Sequence, residues 1–231
     1  MSKSNQLQLF LLWLLGGEHR RTAAFIEGIA FMAYRKTEKV LANLEARRNS
    51  ILASAIDVIA KSGMEGLTTD AVAARAAVAV GLIYKYYPDK TELIAAVFAH
   101  LLARDLAAMR DAAIVEKTPL PALAAAIAVF FARLDNAHLV RAMASAPVYQ
   151  LGVRVELERL IRATDMDLTP KARTLAAAGA LGALYGFFAV SDGSKNRAPA
   201  AILFALRGIG VSDAVARKVV ARMYGLSMVP A

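Results

Sequence analysis

No cysteine occurs among the 231 residues, so the chain has neither a disulfide framework nor a thiolate metal site, and it suits a reducing compartment. Histidine is nearly as scarce. His19, His100 and His138 stand far apart without ligand spacing, so no metal and no cofactor are expected; His100 and His138 read as helix-surface or core residues. Glycine–proline turns are few and alternating β-branched runs almost absent, which leaves little from which to build strands and points to an all-α fold. The chemistry of catalysis is missing too. There is no Ser-His-acid order, no glycine-rich phosphate loop after a strand and no His/Asp/Glu cluster, and Glu156 and Glu158, two residues apart, fall on different faces of a helix. An enzyme is therefore not expected.

What is present is apolar bulk and positive charge. The chain is 58% hydrophobic with a net charge of +9, long enough for a sizeable core and suited to an anionic partner, nucleic acid or membrane. The excess is unevenly placed: residues 32–93 carry 9 basic and 7 acidic side chains, residues 94–231 carry 16 and 10. Global charge thus says little about any one site, and local clusters matter more. Three parts are expected: an N-terminal extension at 1–31, unlike the rest of the chain and with Met32 as an alternative start, a small helical unit at 32–93, and a larger helical body at 94–231. Two apolar runs raise the question of a membrane. LQLFLLWLLGG lacks an A-x-A-like cleavage site and is followed by charge. TLAAAGALGALYGFFAV, Thr174 to Val190, is rich in alanine and glycine, a composition that suits a helix–helix interface better than insertion. The expected location is the cytoplasm, and a membrane-associated helical protein without sequence-specific DNA binding is the alternative.

The helical pattern becomes regular at Asn49. Ile51, Leu52, Ala55, Ile56 and Ile59 recur at helical spacing, and Lys61-Ser-Gly63 supplies a stop. A threonine hydroxyl in Thr68-Thr-Asp70 can cap a second helix, DAVAARA, and a third begins four residues later with Val78, Ile83 and Tyr87 on its apolar face. Pro88 ends it and Asp89 can cap a long fourth helix running to about Ala113. Further helices are expected at about 121–135, 137–145, 147–164, 169–190, 196–208 and 212–224.

Two helices joined by a tight turn, the second short and stopped by proline, match a helix-turn-helix, whose second helix enters the major groove. The residues TTDAVAARA, AVAV and GLIYKYYPDKTEL, between about Arg47 and Leu93, resemble the DNA-binding region of the tetracycline-repressor (TetR) family, with its pattern G-x-LYxYF-x-x-K-x-x-L. The resemblance implies a homodimeric transcriptional repressor with an N-terminal helix-turn-helix domain and a larger C-terminal effector-binding and dimerisation domain. It places Tyr86 and Lys90 on phosphates, by hydrogen bond and by charge. Val80, Gly81, Leu82, Tyr84 and Lys85, with Ala79 at the start of the helix, would face base edges, apolar atoms meeting thymine methyls and Lys85 reaching guanine or phosphate. Thr68 and Thr69 add hydroxyls at a helix start, and Arg47 and Arg48, with Arg35, Lys36 and Lys39, would hold flanking backbone or reach a minor groove. Tyr87 belongs to the core instead.

Two positions depart from the pattern. Ala77 stands where the turn usually has glycine, at a cost of about 1 kcal/mol if the backbone is left-handed there. Ala79 replaces the usual serine or threonine cap, forfeiting about 1 kcal/mol. Beyond Leu93, Gly179, Gly182, Ala183 and Gly186 would admit a second helix closely, as in the family's dimer interface. Met109, Phe130, Phe131, Met143, Tyr149 and Tyr185 are candidates to line a pocket for a small apolar or aromatic effector, or simply to build the core. Two half-sites one turn apart would make the operator a near-palindrome. A rival element, LRGIGVSDAVARKVV at 206–220, resembles the helix-hairpin-helix motif that grips duplex backbone, although its glycines serve an ordinary helix–helix turn equally well.

Overall fold

A computed structural model describes residues 20–190 and 197–225, with side chains from 39 to 189 and from 197 to 225. The apolar run LQLFLLWLLGG, His19 and the SDGSKN break at 191–196 lie outside the described residues, as do the side chains of Arg35 and Lys36. Ten helices and no strand occur among the described residues. The chain divides between Ser50 and Ile51 into two compact units.

In the first unit the only described element is the leading part of α1, Arg20–Ser62. This helix has 43 residues, so it starts well before the Asn49 at which the apolar spacing becomes regular. Its side chains from Lys39 to Ser50 are all exposed, Val40, Leu41 and Leu44 among them. With their side chains all exposed, residues 39–48 offered no buried apolar period by which to recognise a helix.

The second unit begins where α1 acquires a buried face: Ile51, Leu52, Ala55, Val58 and Ile59 enter the core. Gly63 stops the helix with φ +70°, its amide bonded to the Ile59 carbonyl at 2.8 Å. After α2 (Thr69–Ala76) and α3 (Val80–Tyr86) comes α4, Lys90–Ile114, whose buried residues Leu93, Val97, Leu101, Asp105 and Met109 repeat every fourth residue. The larger body continues as α5 (Pro119–Ala132), α6 (Ala137–Ser145), α7 (Pro147–Arg162), α8 (Pro170–Val190), α9 (Arg197–Ile209) and α10 (Asp213–Tyr224). These bounds fall within a few residues of the spacing-based expectation.

Proline and asparagine set the starts. Pro119 and Pro147 open α5 and α7, where the missing amide costs nothing, and Asn136 Oδ1 accepts from the amides of His138 and Leu139, both at 3.0 Å, to start α6. The same Asn136 donates Nδ2–H to the Ala60 carbonyl at 3.1 Å, tying the last turn of α1 to the body. Within the body α4 packs on α5 and α7, α8 on α7 and α9, and α9 on α5 and α10. One continuous core results, from Ile51 to Val220, in which Tyr149, Phe130, Met109 and Leu123 are among the largest fully buried side chains. His100 and His138 are exposed.

Candidate nucleic-acid interface

The interface is built on the turn between α2 and α3. Thr68 caps α2, its hydroxyl accepting from the Ala71 amide at 3.1 Å, and Arg75 pairs with Asp57 to lock α2 against α1. The turn itself is a Schellman motif: Val78 N–H donates to the Ala73 carbonyl at 3.0 Å and Ala77 N–H to the Ala74 carbonyl at 3.4 Å. That geometry requires a left-handed residue. Ala77 adopts it, at φ 54° and ψ 45°, the sole non-glycine with positive φ among the described residues. Ala79 starts α3 with extended backbone and no side-chain cap.

Helix α3 then presents two unlike faces. Ile83 and Tyr87 are buried in the core cluster, which fixes the rotation of the helix. Ala79, Gly81, Tyr84 and Lys85 are exposed and Leu82 half-buried, while Val80 and Tyr86, also half-buried, pack against the core cluster. Gly81 has open space around the position of a Cβ, consistent with a surface that something else could approach closely. Tyr84, 49% exposed, reaches back so that its hydroxyl lies 3.4 Å from that of Thr69. The fold therefore brings Thr69 and Tyr84 together across the turn. Tyr87 N–H bonds to the Ile83 carbonyl at 2.8 Å and Pro88 comes next, ending α3 after seven residues. Asp89 Oδ1 accepts from the Glu92 amide at 2.8 Å to start α4, leaving Lys90 exposed on its first turn. Arg47 and Arg48 are exposed on α1, in the other unit.

The pocket candidates behave differently. Met109, Phe130, Phe131, Met143 and Tyr149 are buried in the core of the body, and Tyr185 is half-buried with its ring edge-on to Phe130 at 6.3 Å. A groove of about 520 Å³ lies elsewhere, between the start of α5, the α7–α8 loop and the α9–α10 turn, lined by Leu120, Met166, Val211 and Val215 among others. That last turn holds the residues likened to a helix-hairpin-helix, with Gly210 at φ +104°.

Two buried carboxylates are not foreshadowed by any motif. Asp105, 1% exposed, receives Arg133 Nε at 2.6 Å and Arg104 Nε at 3.1 Å on one oxygen and the Tyr149 hydroxyl at 2.5 Å on the other. Burial and the charge of Asp105 push the Tyr149 phenol far above its ordinary value, so Tyr149 remains a proton donor. Glu156 is gripped by Arg110 at 2.8 Å and Arg159 at 2.6 Å. Burial alone would raise the Glu156 carboxyl, but the hydrogen bonds from both arginines outweigh it and hold it below the usual range. For Asp105 a signal does exist in the sequence: a lone charge in the stripe Leu101, Asp105, Met109.

Comparison with known proteins decides what this arrangement is. Residues 51–97, the end of α1 through the start of α4, match the family described as bacterial regulatory proteins, tetR family. Residues 51–97 form a tetR-family domain. Over 73 residues the chain is 37% identical to the HTH-type transcriptional repressor KstR of Mycolicibacterium smegmatis and 36% identical to KstR of Mycobacterium tuberculosis, covering 32% of this chain in each case. The chain spans about a third of the length of these curated relatives, 36% and 33%. Solved structures resemble it over more of its length. RolR in complex with resorcinol aligns with a TM-score of 0.57 at 18% identity, covering 79% of this chain and 96% of that one. A TetR family transcription regulator from Marinobacter aquaeolei VT8 aligns with a TM-score of 0.57 at 19% identity, covering 72% and 97%. At such identities the likeness establishes the fold alone: a helix-turn-helix unit joined to a larger helical body.

Proposed function

We propose that the protein is a DNA-binding transcriptional regulator, a repressor that leaves a near-palindromic operator when a small-molecule effector occupies its larger helical body. The carrying observation is α3, which leaves Gly81, Tyr84 and Lys85 exposed and Leu82 half-buried while Ile83 and Tyr87 anchor the helix in the core. In this reading α3 lies in the major groove, Tyr86 and Lys90 hold phosphates, and Arg47 and Arg48 reach flanking backbone. Residues 32–93 then act as the DNA-binding domain and 94–231 as the effector and dimerisation domain. No catalytic role is assigned, and the place of action is the cytoplasm.

A second copy of the chain supplies the symmetry. Gly179, Gly182 and Gly186 are exposed with open space where a Cβ would stand, and Leu175 and Phe204 beside them are 63% and 53% exposed. An apolar strip of this kind on α8 and α9 suits a helix-to-helix dimer contact, with Ala183 at its edge. Effector control arises through α4, which begins at Lys90 and carries Asp105 and Met109 into the core of the body. A ligand that prefers one packing of that core shifts the population toward one position of α4, and acts only through its differential affinity for the two states.

Helix α8 supports a second reading, because Pro170–Ala189 is long and apolar enough to cross a membrane and only 22% of its apolar window is buried. Recovery of the chain in the detergent-free soluble fraction discards that alternative. For the main reading, Tyr86→Phe and Lys90→Gln should weaken binding to every duplex alike, Lys90→Gln lowering the salt slope by about one unit, whereas Val80→Ala and Lys85→Gln should change sequence preference. If all four variants act equally on every sequence, α3 is not the element that reads bases.

A further inference from the structure

We infer that the groove between the start of α5, the α7–α8 loop and the α9–α10 turn is a site for a small lipophilic cation, an apolar ring or chain bearing a protonated amine. Helix α4 leaves the α3 end of the molecule at Lys90 and runs 25 residues, about 37 Å, before the chain turns into α5 at Pro119. The groove lies against that turn, so its occupant is about a helix length from the α2–α3 face. Its volume of about 520 Å³ is that of a small-molecule pocket, for which roughly 300–1,000 Å³ is usual.

Three segments far apart in sequence supply the apolar walls: Leu120 and Pro121 on α5, Met166 in the α7–α8 loop, and Val211 and Val215 at the start of α10. Gly210 joins two of them. Its φ of +104° turns the chain, and the Met166 methyl stands 3.5 Å from where a Gly210 Cβ would be. A flexible thioether at that seam adapts to ligands of different outline. Two hydroxyls also line the groove without serving as caps. Thr118 precedes α5, where a threonine normally accepts from the second or third helical amide, but the third residue is Pro121 and no cap bond forms. Ser212 before α10 makes none either.

The charge of the ligand follows from what stands around these groups. Helix starts favour anions, yet two of the first three residues of α5 are prolines without an N–H, and Asp213 already occupies the first position of α10. Asp165 is the one ionisable residue in the lining, which contains no lysine or arginine. Asp57, Asp105 and Asp213 each hold an arginine, whereas Asp165 has no such partner among the described residues. An ammonium beside Asp165, with its apolar part laid on Leu120, Met166 and Val215, answers both the charge and the walls. A carboxylate in the same place would meet like charge.

The test uses no DNA, and the inference stands apart from the reading of α3. Full-length protein is titrated by calorimetry with three probes that share one ring: 1-naphthylmethylamine, 1-naphthalenemethanol and 1-naphthoate. Wild type should bind the amine at one site per chain, more tightly than the alcohol, and the acid least. Asp165→Asn should weaken the amine about fivefold and leave the alcohol within about twofold. Val215→Lys, at an exposed position on another wall, should weaken the amine and strengthen the acid. Far-UV circular dichroism checks that both variants are folded. Absence of amine binding, preference of wild type for the acid, unchanged amine affinity in Asp165→Asn, or indifference of amine and acid to Val215→Lys would each overturn the assignment.

Discussion

Ala77→Gly should stabilise the protein, although it removes a methyl group and adds nothing. Ala77 holds φ 54° and ψ 45°, where an L-residue with a Cβ crowds its own carbonyl at a cost of about 1–2 kcal/mol. Glycine escapes that cost but loses more conformational freedom on folding, which returns about 0.5–1 kcal/mol. The side chain is exposed, so no packing is forfeited. The net gain should be about 0.5–1 kcal/mol, or a rise in melting temperature of about 1–4 °C for a chain of this size. Ala74→Gly makes the control, because Ala74 is equally exposed but inside α2, where glycine should cost about 1 kcal/mol. Thermal and urea unfolding of both variants, monitored by far-UV circular dichroism, gives the comparison. Opposite signs for two exposed alanines three residues apart are the expected result. Destabilisation by both would mean that the α2–α3 turn is not left-handed at Ala77, and the orientation argued for α3 would go with it.

Glu156→Gln should lose about 2 kcal/mol near neutral pH, since charge-assisted bonds from Arg110 and Arg159 are replaced by neutral ones. The folded carboxyl lies below its ordinary 4.5, so its contribution is complete above that pH and fades as the pH falls through the folded value; wild type and variant should converge in acid. A constant gap down to strong acid would remove the charge from the explanation. Gly182→Leu should yield a monomer by sedimentation velocity with unchanged helicity, because nothing lies within 4 Å of a Cβ built there. A dimer that survives would move the contact off α8.

The helices of the body were legible because each buries a stripe or is bracketed by proline, asparagine or glycine, as Pro119, Pro147, Asn136 and Gly63 do. The outward and inward faces of α3 were legible for the same reason: Ile83 and Tyr87 are four apart and bury together. Residues 39–48 of α1 were not, since their side chains are all exposed and periodicity records burial rather than helicity. Tertiary pairing was equally hidden. Asp105 with Arg133 and Tyr149, and Glu156 with Arg110, join positions 28 to 46 residues apart, and no local pattern announces such partners.

The central claim is that α3, doubled by a second chain, reads DNA from the major groove. Selection of duplexes from a random pool by the full-length protein, at two salt concentrations, tests it most directly. The account predicts enrichment of a twofold-symmetric sequence whose half-sites are centred about one helical turn apart, with affinity falling steeply as salt rises. Recovery of an unenriched pool, or of a sequence with no internal symmetry, would contradict it.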